Sequence, residues 1–446
     1  MLCFFPGCTD NSPKETKELN LWFVSANGYS IGEEDLSGTL QAYQKNYPDI
    51  QLNIVRKDVE KPEDKRDYYT ELETTLMSGG GPDIIYMGEM FPQINDVYKM
   101  QQAGVFADLT EFIENDPDIN WDNYNQSILK LSNYKGKQYI MPLSYSLPLF
   151  MSTRDVLDKA GVDERDFANT QGMMQEVMDY WERNGYDPSC PGFFSVSYVF
   201  NFFSSFMGLN IANHVEQKSN FETEHTQQVL EFLKTTYPVE LGRVYDMEES
   251  SEFYDLSMSL GAAKESFEHN AQVTCMDRVG LQGYFGNISA LETIGEPVVF
   301  PMRDSNGGIQ ACVMRALMIS STSKNKMNAW NFIKTALAAE QQRSFTEVEF
   351  TRDNIPVNKA IWREIYESQY QKDFEYFYKD YATGKPVEEK YYDQFLNLQE
   401  EISGVFLRYP AEKKVIEKLI PYFEGKKSYE EVAKDVQGYL NIYLSE

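Results

Sequence analysis

The chain has 446 residues, with 41 Lys and Arg against 69 Asp and Glu and a formal net charge of −28. Charge of that sign and size repels phosphate backbones and anionic lipid surfaces, which excludes nucleic acid as a partner and otherwise serves solubility. Hydrophobic residues at 42% and charged residues at 25% are those of a globular protein with a large core, while 30 Tyr and 28 Phe make the chain aromatic-rich.

The first residues, MLCFFPGC, are apolar and end in Gly-Cys ahead of the polar TDNSPKETKE. They resemble the tail of a bacterial lipoprotein signal, in which the cysteine after a small residue becomes lipid-modified, and Cys8 is the candidate. The missing basic start, the short apolar run and Pro6 depart from a complete signal. From Thr9 to Glu18 few residues can pack, so the segment reads as a flexible tether. No run of 18 uncharged apolar residues follows, and no transmembrane helix is expected.

Between Tyr68 and Ile113 the pattern condenses into helix, glycine stop, strand and helix. Leu72, Thr75 and Leu76 share one helical face; Gly79, Gly80 and Gly81 supply left-handed conformations, and Pro82 forbids continuation. Ile84, Ile85, Tyr86 and Met87 form a short apolar run, a strand buried on both faces of a mostly parallel sheet. The chain leaves that strand at Gly88, Glu89 and Met90, and in open α/β sheets ligands bind beyond the carboxyl ends of the strands. Asp116, Asp118, Asn120 and Asp122 alternate oxygen ligands as a calcium loop does, but the sharp-turn glycine and terminal glutamate are missing, and a polar loop with helix caps is the reading.

Strand and helix alternate to about Pro142, which favours a parallel sheet with helices on both faces. Tyr139 to Leu143 is strand-like and leads through Ser144, Tyr145 and Ser146 into Leu149, Phe150 and Met151, where a crossing between lobes belongs. Helical patterns run over Gly172 to Asn184, Thr223 to Thr235 and Glu252 to Phe267, followed by a short strand, Gln272 to Met276. Val298 to Arg315, with Gly307 and Gly308 and then the apolar ALMISS, returns to the first lobe. From Ile355 the chain reads as mostly helical, with a capping box at Ser428 and Glu431 and a helix stop at Gly425.

Cys3, Cys8, Cys190, Cys275 and Cys312 show neither metal-like spacing nor a disulfide framework. Cys275 and Cys312 lie in apolar runs as small buried hydrophobes, and a pairing among Cys190, Cys275 and Cys312 stays open. His214, His225 and His269 lack partners at useful spacing and read as ordinary core or surface residues. There is no G-x-S-x-G elbow, H-E-x-x-H or P-loop, and no cofactor or metal is called for.

The block SGGGPDIIYMGEM followed by AGVFADLTEFI resembles the extracellular solute-binding proteins of family 1, the sugar-capturing receptors of bacterial ABC importers. Leu21 to Val24 followed by LQAYQKNYPDIQLNIV, then GKQYIMPLSYSLPLFMSTRDVLDKAGV, then KNKMNAWNFIKTALAAEQQRSF, resemble further family segments in the same order. The resemblance implies an α/β fold of the type II periplasmic-binding-protein kind, two α/β lobes joined by a hinge crossed several times. Residues 1–18 would be signal remnant and tether, 19–143 with about 304–346 the first lobe, and about 147–300 with about 350–446 the second. It further implies a monomer, lipid-anchored on the outer face of a bacterial membrane, that closes around a carbohydrate and delivers it to the permease subunits of an ABC transporter.

A sugar site needs aromatic plates and convergent polar groups. Ser25, Asn27 and Tyr29 in the loop after the first strand are candidates, with turn chemistry as the alternative for Asn27 and Gly28. Glu89 and Met90 follow the second strand of the motif; helix N-terminal charge complementarity is the alternative for Glu89. Tyr145 stands beside the first crossing and is either a ligand contact or interlobe packing. By resemblance, Tyr284 and Phe285 are the second-lobe plates, near Asn287, with anchoring of their helix as the alternative, while Asp277 and Arg278 offer ligand contacts or an ion pair. Arg303, Asp304 and Asn306 sit near the second crossing. Ser152 and Thr153 stand where many relatives carry Tyr-Asn, which leaves the substrate open. A glycoside-acting enzyme with a carboxylate pair across a cleft is the rival, and a peptide-binding or surface scaffold lipoprotein is a third reading.

Overall fold

The computed structural model describes residues 16–25, 31–59, 61–88, 94, 96–185, 194–195, 211–219, 221–236, 273–347, 354–368, 387–407 and 409–446. Within them the architecture is a mixed α/β fold of two lobes built on one shared sheet. Strand β1 (Glu18–Ser25) runs parallel to β2 (Gln51–Asp58), with the helix Ser37–Asn46 between them. Leu19, Leu21 and Phe23 are buried and Trp22 and Val24 half-buried, the period of two of a strand with unequal faces. The chain is already held at Thr16, whose N–H and hydroxyl donate to Asn325 Oδ1, so the tether ends before Glu18.

The helix Pro62–Met77 buries Leu72 and Leu76 and stops at Gly79 and Gly81, both at φ +84°, whereas Gly80 does not adopt the expected left-handed conformation. Strand β3 (Ile84–Gly88) is buried throughout. Its start is pinned by the Asp83 carboxylate, which accepts from Asn20 N–H at 2.8 Å, Ser323 Oγ at 2.5 Å and Asn325 Nδ2 at 3.2 Å. One side chain thereby joins β1, β3 and the turn before the helix Lys326–Leu337.

The two strand-like runs around Ser144 to Ser146 are one strand, β4 (Met141–Thr153), buried along its whole length. Pro148 lies inside it, where the ladder register shifts between Leu147 and Leu149, so the absent N–H falls at an irregularity rather than in a regular rung. After β5 (Phe194–Ser195) and the hairpin β6 (Ala212–Asn213) and β7 (Lys218–Ser219) come β8 (Val273–Val279), β9 (Pro297–Pro301), β10 (Ile309–Ile319), β11 (Ile355–Pro356) and β12 (Ile402–Phe406). The first half of β4 pairs with β10, and the second half with β8 and β9.

The sheet order is β2-β1-β3-β10-β4-β8-β5; the parallel arrangement expected of the first lobe holds for β2, β1 and β3, and β5 also runs parallel to β8. Strand β10 is antiparallel to both β3 and β4, because it returns to the first lobe from the second and meets β3 from the opposite end. Strand β12, in a segment the sequence reads as helical, pairs parallel with Ile309 to Cys312 of β10. Gly404 permits that approach, since a Cβ there would stand 2.0 Å from Gln310 Oε1. The helical patterns over 172–184 and 223–235 appear as Thr170–Asn184 and Glu224–Thr236; that over 252–267 lies outside the described residues. Ser428 and Glu431 form the expected capping box of the helix Tyr429–Ser445.

Three cores result. One runs unbroken through both lobes, from Leu21 and Tyr86 through Leu143 and Leu149 to Phe285 and Phe395. The other face of the first lobe holds Leu72, Ile85, Met100 and Met318, and that of the second holds Phe150, Val177, Val229 and Leu440. The Asp116 carboxylate accepts from Trp330 Nε1 at 2.7 Å and Lys334 at 2.9 Å, and Asp118 pairs with Lys334 at 3.1 Å, so these loop carboxylates serve protein cations and donors.

A charged pair is buried where β3 meets β10: Arg315 Nε lies 2.9 Å from Asp35 Oδ2, the Tyr86 hydroxyl donates to the same oxygen, and all three side chains are at most 6% exposed. Burial first, then the Asp35 charge, push the Tyr86 phenol well above its ordinary range, so it remains a donor. Arg315→Met should cost about 3–5 kcal/mol by leaving Asp35 unpaired, whereas Asp35→Leu with Arg315→Met should recover most of it. Urea unfolding of the two variants reads this directly; equal losses would place the cost elsewhere.

Candidate functional site

The residues proposed from sequence separate into three groups. Ser25 ends β1 opposite Asp58, half-buried, with its carbonyl accepting from Val59 N–H at 2.8 Å. Asn27, Tyr29, Glu89 and Met90 lie outside the described residues, and Asp277 and Arg278 are placed as backbone of β8, beside the second half of β4. The others are committed to the interior or to turns. Tyr145 is fully buried; its hydroxyl accepts from Asn125 Nδ2 at 2.8 Å and donates to Gln399.

Tyr284 and Phe285 are buried in the helix Leu281–Leu291, and the Tyr284 hydroxyl donates to Tyr391 O at 3.0 Å. Phe285 packs in an aromatic cluster with Tyr366, Tyr392 and Phe395, and Asn287 Nδ2 donates to Gly283 O at 2.8 Å within its own helix. These side chains form the second-lobe core and present no plate to solvent, because the helix is buried on all sides. Arg303 pairs with Glu401 and donates to Gly307 O at 2.8 Å. Asp304 accepts from the N–H groups of Asn306 and Gly308 at 2.8 and 3.0 Å and from Gln310 Nε2 at 2.6 Å. These two fix the turn into β10.

What the structure does enclose is a cavity of about 330 Å³ where segments distant in sequence meet. One wall is the helix Val97–Gln102 that follows β3, with Tyr98 and Gln101, joined by the turn Leu131 to Tyr134, by Ile140 and by Val313 of β10. The opposite wall is the β6–β7 hairpin with its approach, Ile211 to Val215, and the end of β12 with Leu407 and Tyr409. Among the described residues that line it there is no Asp, Glu, Lys or Arg; Arg408, between Leu407 and Tyr409, lies outside the described residues.

Local chemistry sets each wall. Asp96 caps the helix through Lys99 N–H at 3.1 Å, which orients Tyr98 and Gln101 three residues apart on one side. Asn213 Oδ1 accepts from Val215 and Glu216 N–H at 3.1 and 2.9 Å and shapes the hairpin turn, so that His214 faces Tyr98. The two rings stack with centroids 3.8 Å apart and an interplanar angle of 7°. Tyr409 meets His214 edge-on at 4.8 Å, Leu407 N–H donates to the Tyr98 hydroxyl at 3.1 Å, and Gln102 Nε2 donates to His214 O at 2.9 Å. Asp96 Oδ2 accepts from Tyr443 at 2.6 Å, and Lys99 pairs with Glu446 at 3.2 Å at the rim.

Two polar atoms on these walls have no partner: Gln101 Nε2 and His214 Nε2, on side chains only 5% and 6% exposed. Unpaired buried polar atoms are costly, so both weaken the packing of the helix against the hairpin. Burial first, then Lys99, lowers the His214 pKa to about 4, so the imidazole is neutral near pH 7. Burial also holds the phenols of Tyr98, Tyr409 and Tyr443 well above their usual range. The site therefore combines aromatic faces, an amide donor and a neutral imidazole. It can bind and orient; no nucleophile with an adjacent base, and among the described residues no cluster of three or more metal-ligating side chains, accompanies it.

The sequence does not single out this constellation. Tyr98 and Gln101 share a visible helical spacing, but His214 lies 112 residues beyond its partner Gln102 and Leu407 lies 309 beyond Tyr98, and nothing local distinguishes His214 from an ordinary core histidine.

The profile of the bacterial extracellular solute-binding proteins matches residues 39–377. No curated protein sequence matches the chain. Among solved structures, the chain is similar to an extracellular solute-binding protein family 1 member from Alicyclobacillus acidocaldarius, at 15% identity and a TM-score of 0.59, covering 97% of this chain and 100% of that one. It is also similar to the sugar-binding protein MalE of Xanthomonas citri, at 12% identity and TM-score 0.59, covering 96% and 97%. A third is an ABC substrate-binding protein of Listeria monocytogenes in complex with cycloalternan, at 17% identity and TM-score 0.53, covering 96% and 99%. At these identities the likeness establishes a shared fold. Among the described residues no helix is long and apolar enough to cross a membrane.

With an unfolded His214 pKa near 6.5 and a folded value of about 4, the unfolded chain binds the extra proton between those values, so stability falls as pH drops through that window. The loss attributable to His214 should total ~3 kcal/mol below pH 4. His214→Phe, which keeps a ring on Tyr98, should flatten this part of the pH profile of chemical denaturation; an unchanged slope would show that His214 is not its source.

Proposed function

The chain belongs to the family of bacterial extracellular solute-binding proteins, and from that premise we propose that it captures a carbohydrate by closure of its two lobes and delivers it to an ABC permease. The observation that carries this reading is that β4 and β10 run as continuous strands from one lobe into the other while a cavity is walled by both. Strands that cross between lobes provide the hinge, since a few residues at the register shifts in β4 and β10 can absorb a rotation. A molecule touched by both walls favours the closed state by its differential affinity, and a membrane partner can read that state without any chemistry being done. The cycloalternan bound by the Listeria protein and the sugar-binding role named for the Xanthomonas protein support carbohydrate as the ligand class.

In this reading the first lobe comprises 19–143 with about 304–346 and the second about 147–300 with about 350–446, the boundaries falling inside the crossing strands. First-lobe contacts come from the carboxyl ends of β1 and β3, from Ser25, Asn27, Tyr29, Glu89 and Met90, and from Tyr98 and Gln101 just beyond. Asp277 and Arg278 of β8 and the hairpin around His214 serve from the second. The protein acts as a monomeric receptor rather than a catalyst, needs no cofactor, and is tethered outside the cell membrane through a lipid on Cys8.

A thermal-shift screen of the purified protein against mono-, di- and oligosaccharides and peptides, with the sugars followed for cleavage, tests this. Saturating stabilisation by an intact glycan is expected, about 2.7 kcal/mol at a ligand concentration one hundred times Kd, with a smaller radius of gyration in solution scattering. Turnover of the glycan would make the protein an enzyme, and stabilisation by peptides alone would remove carbohydrate as the cargo. Labelling of the native lipoprotein with a fatty-acid analogue, lost in Cys8→Ser, checks the anchor.

A further inference from the structure

We propose, on the two-lobe reading above, that the contact between the helix Val97–Gln102 and the second lobe is a latch. Its second-lobe side is the β6–β7 hairpin and the helix Tyr429–Ser445. The latch holds the lobes together over the cavity and opens as one unit, about a hinge on the opposite face of β4.

The two faces of β4 differ in what packs on them. Met141, Leu143, Tyr145, Leu147, Leu149 and Met151 all lie in the core that runs unbroken through both lobes. On the alternate face, Phe150 belongs to the second-lobe core and Ile140, just before the strand, to that of the first. Between them stand Pro142, Ser144, Ser146 and Pro148. Strand β10 repeats the division: Cys312 and Met314 pack in the second-lobe core, Ala316 and Met318 in that of the first, and the ladder shifts register on both sides of Arg315. The lobes are thus joined by one apolar layer on one face of the sheet and divided on the other. A rotation that parted the joined face would expose that layer to water, so movement opens the divided face. Ile140 and Val313, both of the first-lobe core, line the cavity, which places it on the divided face.

The contact spans that division. Beside the cavity, the Tyr98 and His214 rings stack and Gln102 Nε2 donates to His214 O. Farther out, the Tyr443 hydroxyl donates to Asp96 Oδ2, and Lys99 lies over the Tyr443 ring and pairs with Glu446. Tyr98 and His214 line the cavity, whereas Asp96, Lys99, Tyr443 and Glu446 do not. The Lys99 and Glu446 side chains are 32% and 65% exposed, so the contact runs from the cavity wall out to solvent. Releasing it from the outside therefore opens the cavity.

Its chemistry suits a contact that parts and re-forms. The bond from Tyr443 to Asp96 is charge-assisted and joins residues only 7% and 4% exposed, so it outweighs the exposed pair of Lys99 with Glu446. When the lobes separate, Asp96 keeps the N–H of Lys99 at its own helix N-terminus, and water reaches both the carboxylate and the Tyr443 hydroxyl. No charge is left buried without a partner, in contrast to the cost of parting Asp35 from Arg315. The fraction of molecules with the cavity walls in place sets the apparent affinity for any molecule that touches both, so the strength of the latch tunes binding without a contact to the ligand.

The test uses the full chain without sugar, and variants that change no residue of the cavity wall: Tyr443→Phe, which keeps the ring, Lys99→Met, Glu446→Gln, and Tyr443→Phe with Lys99→Met. Solution scattering should give the double variant a larger radius of gyration than the wild type. Amide exchange in 97–102 and 211–219 should quicken together, by about 10- to 100-fold, while β4 keeps its protection. Tyr443→Phe alone should give most of the effect and Glu446→Gln little of it. An unchanged or smaller radius, or faster exchange confined to the segment that carries the substitution, would overturn the latch. Loss of protection in β4 in the mild variants Tyr443→Phe and Glu446→Gln would overturn it as well, in favour of general destabilisation. Because no sugar enters the experiment, failure of the latch leaves the carbohydrate reading standing, and failure of that reading in the thermal-shift screen leaves the latch to be decided by scattering and exchange.

Discussion

The antiparallel ladder between β4 and β10 is the constraint on which the rest of the molecule depends. It pairs Met141 to Ser146 with Cys312 to Leu317, and both strands continue beyond it. In one direction β10 goes on to β3 and so to β1 and β2; in the other it takes β12, while β4 takes β8 and β9. Side chains alternate faces along a strand, so a slip of one residue in this ladder would turn both lobes inside out at once. Every residue of β4 is buried, which leaves no polar face on which such a slip could be tolerated. The ladder is nonetheless irregular, shifting register between Val313 and Arg315 and again between Arg315 and Ala316, while β4 shifts against β8 at Pro148; extra residues of this kind let a strand bend without losing its neighbours.

A second contact between the halves of the molecule is made by aromatic rings rather than strands. Tyr98, His214, Tyr409 and Tyr443 lie against one another, and charged groups occupy the edge of this group, where Lys99 sits over the Tyr443 ring at 4.6 Å and pairs with Glu446. Burial keeps the phenols protonated and the imidazole neutral, so the seam is polar without being charged. In a protein with a net charge of −28, the described walls of the cavity beside it carry no carboxylate.

The buried Asp35, Arg315 and Tyr86 group beside the same ladder has the opposite character. Arg315 Nε and the Tyr86 hydroxyl both donate to Asp35, with Arg315 opposite Gly88 at the end of β3. That buried pairing fixes the approach of the first helical turn, Ile31–Asp35, to the sheet.

The sequence by itself determined whatever depends on neighbours in the chain. The stop at Gly79 with Pro82, the buried strand from Ile84, the helix over Thr170–Asn184 and the capping box at Ser428 were legible because backbone conformation, helical period and cap hydrogen bonds are local. The ordered set of segments was also sufficient to indicate the family. The tertiary structure alone decided the rest. Pro148 interrupts a strand pattern, and only pairing with β8 and β9 makes β4 continuous; β12 is a strand because Ile309 to Cys312 of β10 stands beside it; β10 is antiparallel because of where it comes from. Tyr284 and Phe285 satisfied every local requirement for exposed sugar plates and are core residues, since exposure is set by what packs around the helix. His214 had no local mark at all, and its place opposite Tyr98 exists because a hairpin and a helix far apart in sequence are brought together by a shared sheet, a long-range event that no window of neighbouring residues encodes.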